Sequence, residues 1–199
     1  FDRAMPDKLN RVVSDHLSRW CLAPTPTAVA NLAAEGLAAA TTLVGDLMQD
    51  LVARVVPQVR DPAVLGPIAA DLGQAGGAPL ELVPGRFIYA TVHRAENRRP
   101  AAMAAWTAIL GAATRDDRPV VLALHPGTRA ALAAAGLRLP AAVRVVEPVG
   151  YRTSLALQLH AAAVLTDSGG VQRESAWLGT PCLVLRSTTE WLGAVADSA

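Results

Sequence analysis

The run Asp167-Ser168-Gly169-Gly170 follows a short apolar segment, Ala163–Thr166, and leads into a helical pattern over Gly170–Leu178. Glycine lets a ligand approach the backbone closely, and the free N–H groups of a first helical turn favour an anion. A phosphate or diphosphate fits Ser168, Gly169 and Gly170. Glu174 lies about one helical turn further on, where its carboxylate could accept hydrogen bonds from two adjacent hydroxyls, as on a ribose. The competing reading is a tight strand-to-helix turn carrying a surface glutamate. The spacing Gly-x-Gly-x-x-Gly is absent, so the usual dinucleotide fingerprint does not support a nicotinamide cofactor.

A second cluster, His93-Arg94-Ala95-Glu96-Asn97, follows the apolar run Phe87–Val92. A histidine there could donate to a phosphate or act as acid or base, and it could equally be structural. Arg94 could form paired bonds to a phosphate, whereas Glu96 reads as a local partner of an arginine or a cap. His125, before Pro126, is either a loop-bonding residue or a ligand contact. Arg186 is an anion-binding candidate or a partner of Glu190, and Asp7 is a carboxylate at a helix start, where capping competes with chemistry.

Several chemistries are excluded by count. Lys8 is the only lysine and follows Asp7, so a Walker-type phosphate loop is absent and a Schiff-base lysine would sit almost at the terminus. His16, His93, His125 and His160 include no His-x-x-x-His pair, which removes a zincin site. Cys21 and Cys182 are far apart and neither forms a Cys-x-x-Cys pair, so they read as reduced thiols and no metal is expected. The net charge is +1 with 18% charged residues, and no block of like charge marks a nucleic-acid binder. Apolar runs are interrupted well short of the ~20 residues a membrane helix needs. The 199 residues, 52% hydrophobic, suffice for one or two domains with a core. The chain opens at Phe1 and closes within or just after a helical pattern, which reads as a fragment of a longer protein.

These clusters need a scaffold. Helical spacing covers 7–20, and Thr25 caps a helix over 26–35 that Gly36 ends. Cys21-Leu22-Ala23 and the stretch from Thr42 read as short strands, and a helix runs on to about residue 56. Beyond residue 85 short apolar strands alternate with helices: 87–92, 119–124, 143–146, 163–166 and 182–185 are strands. Helices cover 100–114, 128–135, 151–162, 170–178 and 188–196, and Trp106 and Trp177 fall on core-facing helical positions. Uninterrupted apolar strands between helices predict a parallel, doubly wound α/β sheet buried on both faces. Residues 46–199 are expected to form one Rossmann-like domain and residues 1–45 the tail of a preceding one. In such sheets ligands bind beyond the carboxyl ends of the strands, and every polar cluster falls on that edge.

Leu165–Glu190 (L-T-D-S-G-G-V-Q-R-E-S-A-W-L-G-T-P-C-L-V-L-R-S-T-T-E) resembles the non-hydrolysing UDP-N-acetylglucosamine 2-epimerases. So do T-V-H-R-A-E-N at 91–97, V-E-P-V-G-Y at 146–151, M-P-D-K-L-N-R-V-V-S-D-H-L at 5–17 and A-P-T-P-T-A-V-A-N-L-A-A-E-G at 23–36, in the family's order and spacing. The resemblance implies a GT-B fold of two Rossmann-like domains and interconversion of UDP-GlcNAc and UDP-ManNAc by elimination and re-addition of UDP. It implies no metal or other cofactor, a cytoplasmic homodimer and, in many bacterial members, activation by UDP-GlcNAc.

By position, Ser168, Gly169 and Gly170 would hold the diphosphate, Glu174 the ribose, and His93 would be the family's essential histidine. Arg94 would be a phosphate or structural partner, His125 would lie near the activator site, and Asp7 would align with an active-site glutamate. Asp7 is one methylene shorter than that glutamate. Trp191 stands where many members carry arginine, and tryptophan there is familiar in relatives acting on other UDP-sugars. The resemblance also implies that about a third of the family's length precedes residue 1. The expected function is therefore UDP-GlcNAc 2-epimerisation by a partial chain. The alternatives are a 2-epimerase for a diacetamido-uronic UDP-sugar, a GT-B glycosyltransferase, and a chain that only binds UDP.

Overall fold

The computed structural model describes residues 6–76 and 80–186. The expected last helix over 188–196, with Glu190 and Trp191, lies outside them. The chain divides into two compact units, Phe1–Leu51 and Val52–Ala199. The boundary falls a few residues beyond the junction near Gly45 expected from sequence, inside a helix that runs through it.

The first unit contains α1 (Pro6–Leu17), β1 (Cys21–Ala23), α2 (Pro26–Ala34) and β2 (Thr41–Leu43). Strands β1 and β2 pair in parallel, Cys21 beside Thr41 and Ala23 beside Leu43. Helix α2 starts where Thr25 supplies a side-chain acceptor to the N–H of Ala28 at 3.1 Å, with Pro26 at the first helical position, where its missing N–H costs nothing. Helix α3 (Leu47–Val59) follows, and α4 (Leu65–Gly76) comes after a short 3-10 turn at Pro62–Val64.

The second unit is built on five parallel strands: β3 (Ile88–Val92), β4 (Val120–Leu124), β5 (Val143–Val146), β6 (Ala163–Thr166) and β7 (Cys182–Val184). They alternate with α5 (Pro100–Ala113), α6 (Pro126–Ala134), α7 (Tyr151–His160) and α8 (Gly169–Leu178). Their order across the sheet is β5-β4-β3-β6-β7. From β3 the chain first builds toward one edge and then returns to build toward the other, so the order reverses between β3 and β6. Ile88 lies beside Ala163 and Thr91 beside Thr166 across that seam.

Two cores sandwich the sheet because successive side chains on a strand point to opposite faces. Ile88, Ala90 and Val92 join Val120, Leu122 and Leu124 on the face covered by Met103, Trp106 and Leu110 of α5 and Leu132 of α6. Phe87, Tyr89, Val121, Ala123 and Val164 face the opposite way, onto Leu65 and Ala69 of α4 and Leu157 of α7. All five residues of β4 are buried, which is why this strand reads as an unbroken apolar run. Trp106 belongs to the core, as expected, and its indole N–H donates to the carbonyl of Asn97 at 3.0 Å. Trp177 is only partly buried, with the Arg173 guanidinium 5.7 Å from its ring centre.

Element boundaries differ from the sequence expectation in two informative places. Helix α6 begins at Pro126 rather than Thr128, because His125 accepts a hydrogen bond from the N–H of Gly127 (3.1 Å) and so acts as the cap. Helix α8 begins at Gly169 rather than Gly170 and ends at Leu178, capped by Gly179, whose φ of 72° is left-handed. Glycine takes that conformation without the Cβ clash other residues meet. No helix among the described residues is long and apolar enough to cross a membrane.

Candidate functional site

The strand order reverses between β3 and β6, and in doubly wound sheets ligands bind beyond the carboxyl ends of the strands at such a switch point. His93 and Arg94 leave β3 there, and Asp167 and Ser168 leave β6. Side chains tie the two strand ends together. The hydroxyls of Thr91 and Thr166 lie 2.7 Å apart, and the N–H of Ser168 donates to the Thr166 hydroxyl at 3.0 Å.

At this switch point sits Asp167, whose side chain is 0% exposed. Its carboxylate accepts from the N–H of His93 (3.1 Å to each oxygen), the N–H of Arg94 (2.9 Å) and the Asn97 amide (2.8 Å). The same amide donates to the carbonyl of Leu185 at 2.9 Å, at the end of β7. The His93 ring, 43% exposed, places Nδ1 3.3 Å from an Asp167 oxygen. One buried carboxylate thus organises the whole loop after β3. The sequence reading placed Asp167 in the post-strand cluster but gave it no role. The signal in the sequence is an aspartate directly after a short, largely apolar strand, where a buried charge needs several partners.

Ser168 caps α8, its hydroxyl 3.5 Å from the N–H of Val171. The N–H groups of Gly169 and Gly170 precede the first intrahelical bond and point out of the helix start. They supply donors for an anion, and the helix dipole adds a partial positive charge. Glu174, one turn on, is buried, with one oxygen held by the Gln158 amide at 2.7 Å. Gln158 is itself fully buried; its oxygen accepts from the Ser175 hydroxyl (3.2 Å), and its amide also reaches Ser154 (3.3 Å), which contacts the Tyr89 hydroxyl (3.2 Å). Burial pushes the Glu174 carboxyl above its usual value, while the Gln158 bond and the nearby Arg173 charge pull it back part of the way. Burial, and secondarily the Glu174 charge, holds the Tyr89 hydroxyl at about 12 against the bond from Ser154. Gln158 was not anticipated from sequence, since it sits in a helix buried on several sides and shows no simple periodicity.

The other expected residues fall as follows. The backbone N–H of Arg94 is consumed by Asp167, and Arg94 is half-buried beside His93. Arg98, not singled out in the sequence, donates to the carbonyl of His93 at 2.8 Å and packs its guanidinium toward Gly127 and the His125 ring. His125 therefore caps α6 at the rim of the same sheet edge. Arg186 faces Glu96 with Nε 3.6 Å from the carboxylate, an arginine distant in sequence where a local partner was expected for Glu96. Asp7 lies in α1 of the other unit. Among the described residues no group of three or more His, Cys, Asp and Glu is placed to hold a metal ion.

A doubly wound parallel sheet with a helix start at its switch point defines a Rossmann-like α/β domain. A family model describing UDP-N-acetylglucosamine 2-epimerases matches residues 1–199, and the chain belongs to that family. It is 37% identical over 204 residues to a Pseudomonas aeruginosa UDP-2,3-diacetamido-2,3-dideoxy-D-glucuronate 2-epimerase, covering 100% of this chain and 52% of the relative. It is 32% identical over 203 residues to a UDP-N-acetylglucosamine 2-epimerase of Methanocaldococcus jannaschii, covering 96% and 51%. Among solved structures, M. jannaschii UDP-GlcNAc 2-epimerase in complex with UDP-GlcNAc and UDP superposes with a TM-score of 0.81 at 30% identity, covering 98% of this chain and 53% of that one. The Neisseria meningitidis enzyme bound to UDP-GlcNAc gives 0.72 at 26% identity, covering 96% and 51%. The chain spans about half the length of these relatives.

Proposed function

We propose that the protein is a 2-epimerase of UDP-N-acetylglucosamine, with residues 46–199 as its UDP-binding domain and residues 1–45 as the end of the partner domain. The reading rests on one observation above the rest: the switch point brings the His93 loop and the start of α8 together around Asp167. Ser168, Gly169 and Gly170 take the diphosphate, with His93 and Arg94 beside it, and Glu174 takes the ribose. This arrangement stabilises the charge that develops on UDP as the C1–O bond breaks, the electrostatic half of an elimination. Abstraction of the C2 proton needs a base within about 3 Å of it, a role proposed for Asp7 with other acidic groups of the whole protein. His125 marks the rim where an activator would sit. The protein would act in the cytoplasm as a homodimer, with a UDP-sugar as its partner and no cofactor.

A second reading, epimerisation of a UDP-diacetamido-glucuronate, is favoured by the P. aeruginosa relative, which matches this chain over its full extent. Product analysis after incubation of the protein, at its natural length, with each UDP-sugar separates the two. UDP-ManNAc from UDP-GlcNAc supports the first reading. Turnover of the uronate alone supports the second, and a requirement for an acceptor sugar overturns both in favour of a transferase. Calorimetric titration with UDP, with and without chelator, tests the site itself. Affinity that vanishes with chelator refutes a metal-free diphosphate site.

A further inference from the structure

We infer that Asp167 is a positioning residue: it keeps the proton of neutral His93 on Nδ1 and so makes Nε2 the nitrogen presented to a bound diphosphate. The choice of ligand rests on the function proposed above; the choice of tautomer rests on geometry alone.

Every hydrogen-bond partner of the Asp167 carboxylate is a donor: the N–H of His93, the N–H of Arg94 and the amide of Asn97. Nothing in that set asks the carboxyl group to donate, so it is satisfied as a pure acceptor. The His93 Nδ1 lies 3.3 Å from one of its oxygens. A neutral imidazole carries a proton on one nitrogen and a lone pair on the other. A lone pair on Nδ1 would face an oxygen of a fully buried carboxylate at that distance, whereas an N–H there is attracted. Nε2 stands across the ring and points away from Asp167. The partly exposed ring therefore turns its accepting edge outward when neutral and a second N–H outward when protonated. A carboxylate behind one imidazole nitrogen sets what the other can do.

The placement follows from topology. Thr91 and Thr166 are register partners across the switch point, so the second residue after Thr91 and the first after Thr166 emerge side by side. The same carboxylate anchors the His93 backbone and faces its ring, which leaves the imidazole little freedom to swing. Arg98 holds the His93 carbonyl from the other side at 2.8 Å.

The experiment is nitrogen NMR of protein labelled at histidine, at a pH where His93 is neutral, with His93→Gln assigning the resonance among the histidines. The wild type is expected to show the Nδ1–H tautomer at His93. An Nε2–H tautomer in the wild type overturns the inference without any variant having to fold. Asp167→Asn, whose amide can donate to Nδ1, is expected to move the population to Nε2–H; that gives the diphosphate a donor the neutral wild-type ring lacks, so UDP affinity at this pH should rise at least about tenfold. A folded Asp167→Asn protein that keeps the wild-type tautomer overturns the inference. A switched tautomer with unchanged UDP affinity overturns the claim that Nε2 meets the diphosphate. Asn97→Ala removes one donor and leaves the charge beside the ring, so it is expected to retain Nδ1–H. A switch there would assign the effect to loop geometry instead of Asp167. If the wild type shows Nδ1–H but binds no UDP, the nucleotide reading falls while the tautomer assignment stands.

Discussion

Replacing Glu174 by glutamine is expected to make the free protein more stable at neutral pH and its UDP complex weaker. The carboxylate is buried, and burial raises its proton affinity above the usual 4.5, more than the Gln158 bond and the Arg173 charge lower it. The sign follows from linkage. Between 4.5 and the raised value the folded state holds a proton that the unfolded state has lost, so stability falls as pH rises through that window. Above the window the fold carries a charge it disfavours; a glutamine side chain there would carry none, and its carbonyl can still accept from Gln158. The Glu174→Gln variant should therefore melt at a higher temperature than wild type at pH 7, with the difference closing as pH falls toward and below 4.5. Ligand affinity should move the other way. Two charge-assisted bonds to ribose hydroxyls would be replaced by weaker neutral ones or lost. Hydrogen bonds to charged groups contribute about 1.5–3 kcal/mol, or roughly 10- to 150-fold in Kd. Calorimetry with UDP and with inorganic diphosphate reads the loss, and UDP lacking both ribose hydroxyls should bind wild type and variant alike. An equal loss for UDP and diphosphate would refute the reasoning by showing that Glu174 acts on the helix start as a whole. A variant less stable than wild type at pH 7 would show that the carboxylate is held more favourably than its burial implies.

Thr128→Val deletes the buried hydroxyl that donates to the carbonyl of Val92 at 2.9 Å while keeping the side-chain volume, and should cost about 0.5–1.5 kcal/mol in urea denaturation. A neutral effect would show that another donor replaces it. Gly127→Ala places a Cβ 3.2 Å from the Arg98 guanidinium and 3.3 Å from the His125 ring. Because the first is the end of a flexible side chain, the expected change is within about 0.5 kcal/mol, the crowding offset by the higher helix propensity of alanine; a loss above about 2 kcal/mol would mean that Arg98 is fixed by its bond to His93. Burial holds the Cys182 thiol at about 11 against a bond from Ser175. Its thiolate fraction at pH 8 is then on the order of one in a thousand, and alkylation of the folded protein should be slow. Fast modification in native buffer, read by mass spectrometry, would contradict that burial.

The strands and their order of use were legible because a parallel sheet buried on both faces leaves an apolar imprint that little else produces. Val120–Leu124 and Ala163–Thr166 announced themselves in this way, and so did the polar turn that follows each strand. Ser168 as a cap and Gly179 as a stop are local signals that the backbone obeys. The site's wiring was less legible. Asp167 finds its partners at His93, Arg94 and Asn97, 70 to 74 positions away, and only the pairing of β3 with β6 brings them together. His125 reads in sequence as a loop-bonding residue or a ligand contact; its role as the cap of α6 depends on the bond from the N–H of Gly127, which spacing alone does not reveal. Glu190, the partner that closeness in sequence suggests for Arg186, lies outside the described residues; the Glu96 contact comes from across the switch point, where sequence gives no hint of it.

The two buried carboxylates of this sheet edge differ in how far the protein itself satisfies them, and the difference sorts structure from ligand chemistry. Asp167 receives donors on both oxygens from two backbone N–H groups and an amide, with an imidazole beside it. Buried and surrounded in this way, a charge is stable without any ligand. Glu174 is nearly as buried, but among the described residues its one hydrogen-bond donor is the Gln158 amide, and burial shows in its raised proton affinity. A fold that had only to close a strand-to-helix turn would gain by carrying an uncharged residue there. The deficit is one a ligand with adjacent hydroxyls would fill, a turn away from a helix start that offers free N–H groups to phosphate. Gln158 supports the same division: its oxygen is tied to Ser175, which fixes the amide so that it donates toward Glu174 and orients that carboxylate before any ligand arrives.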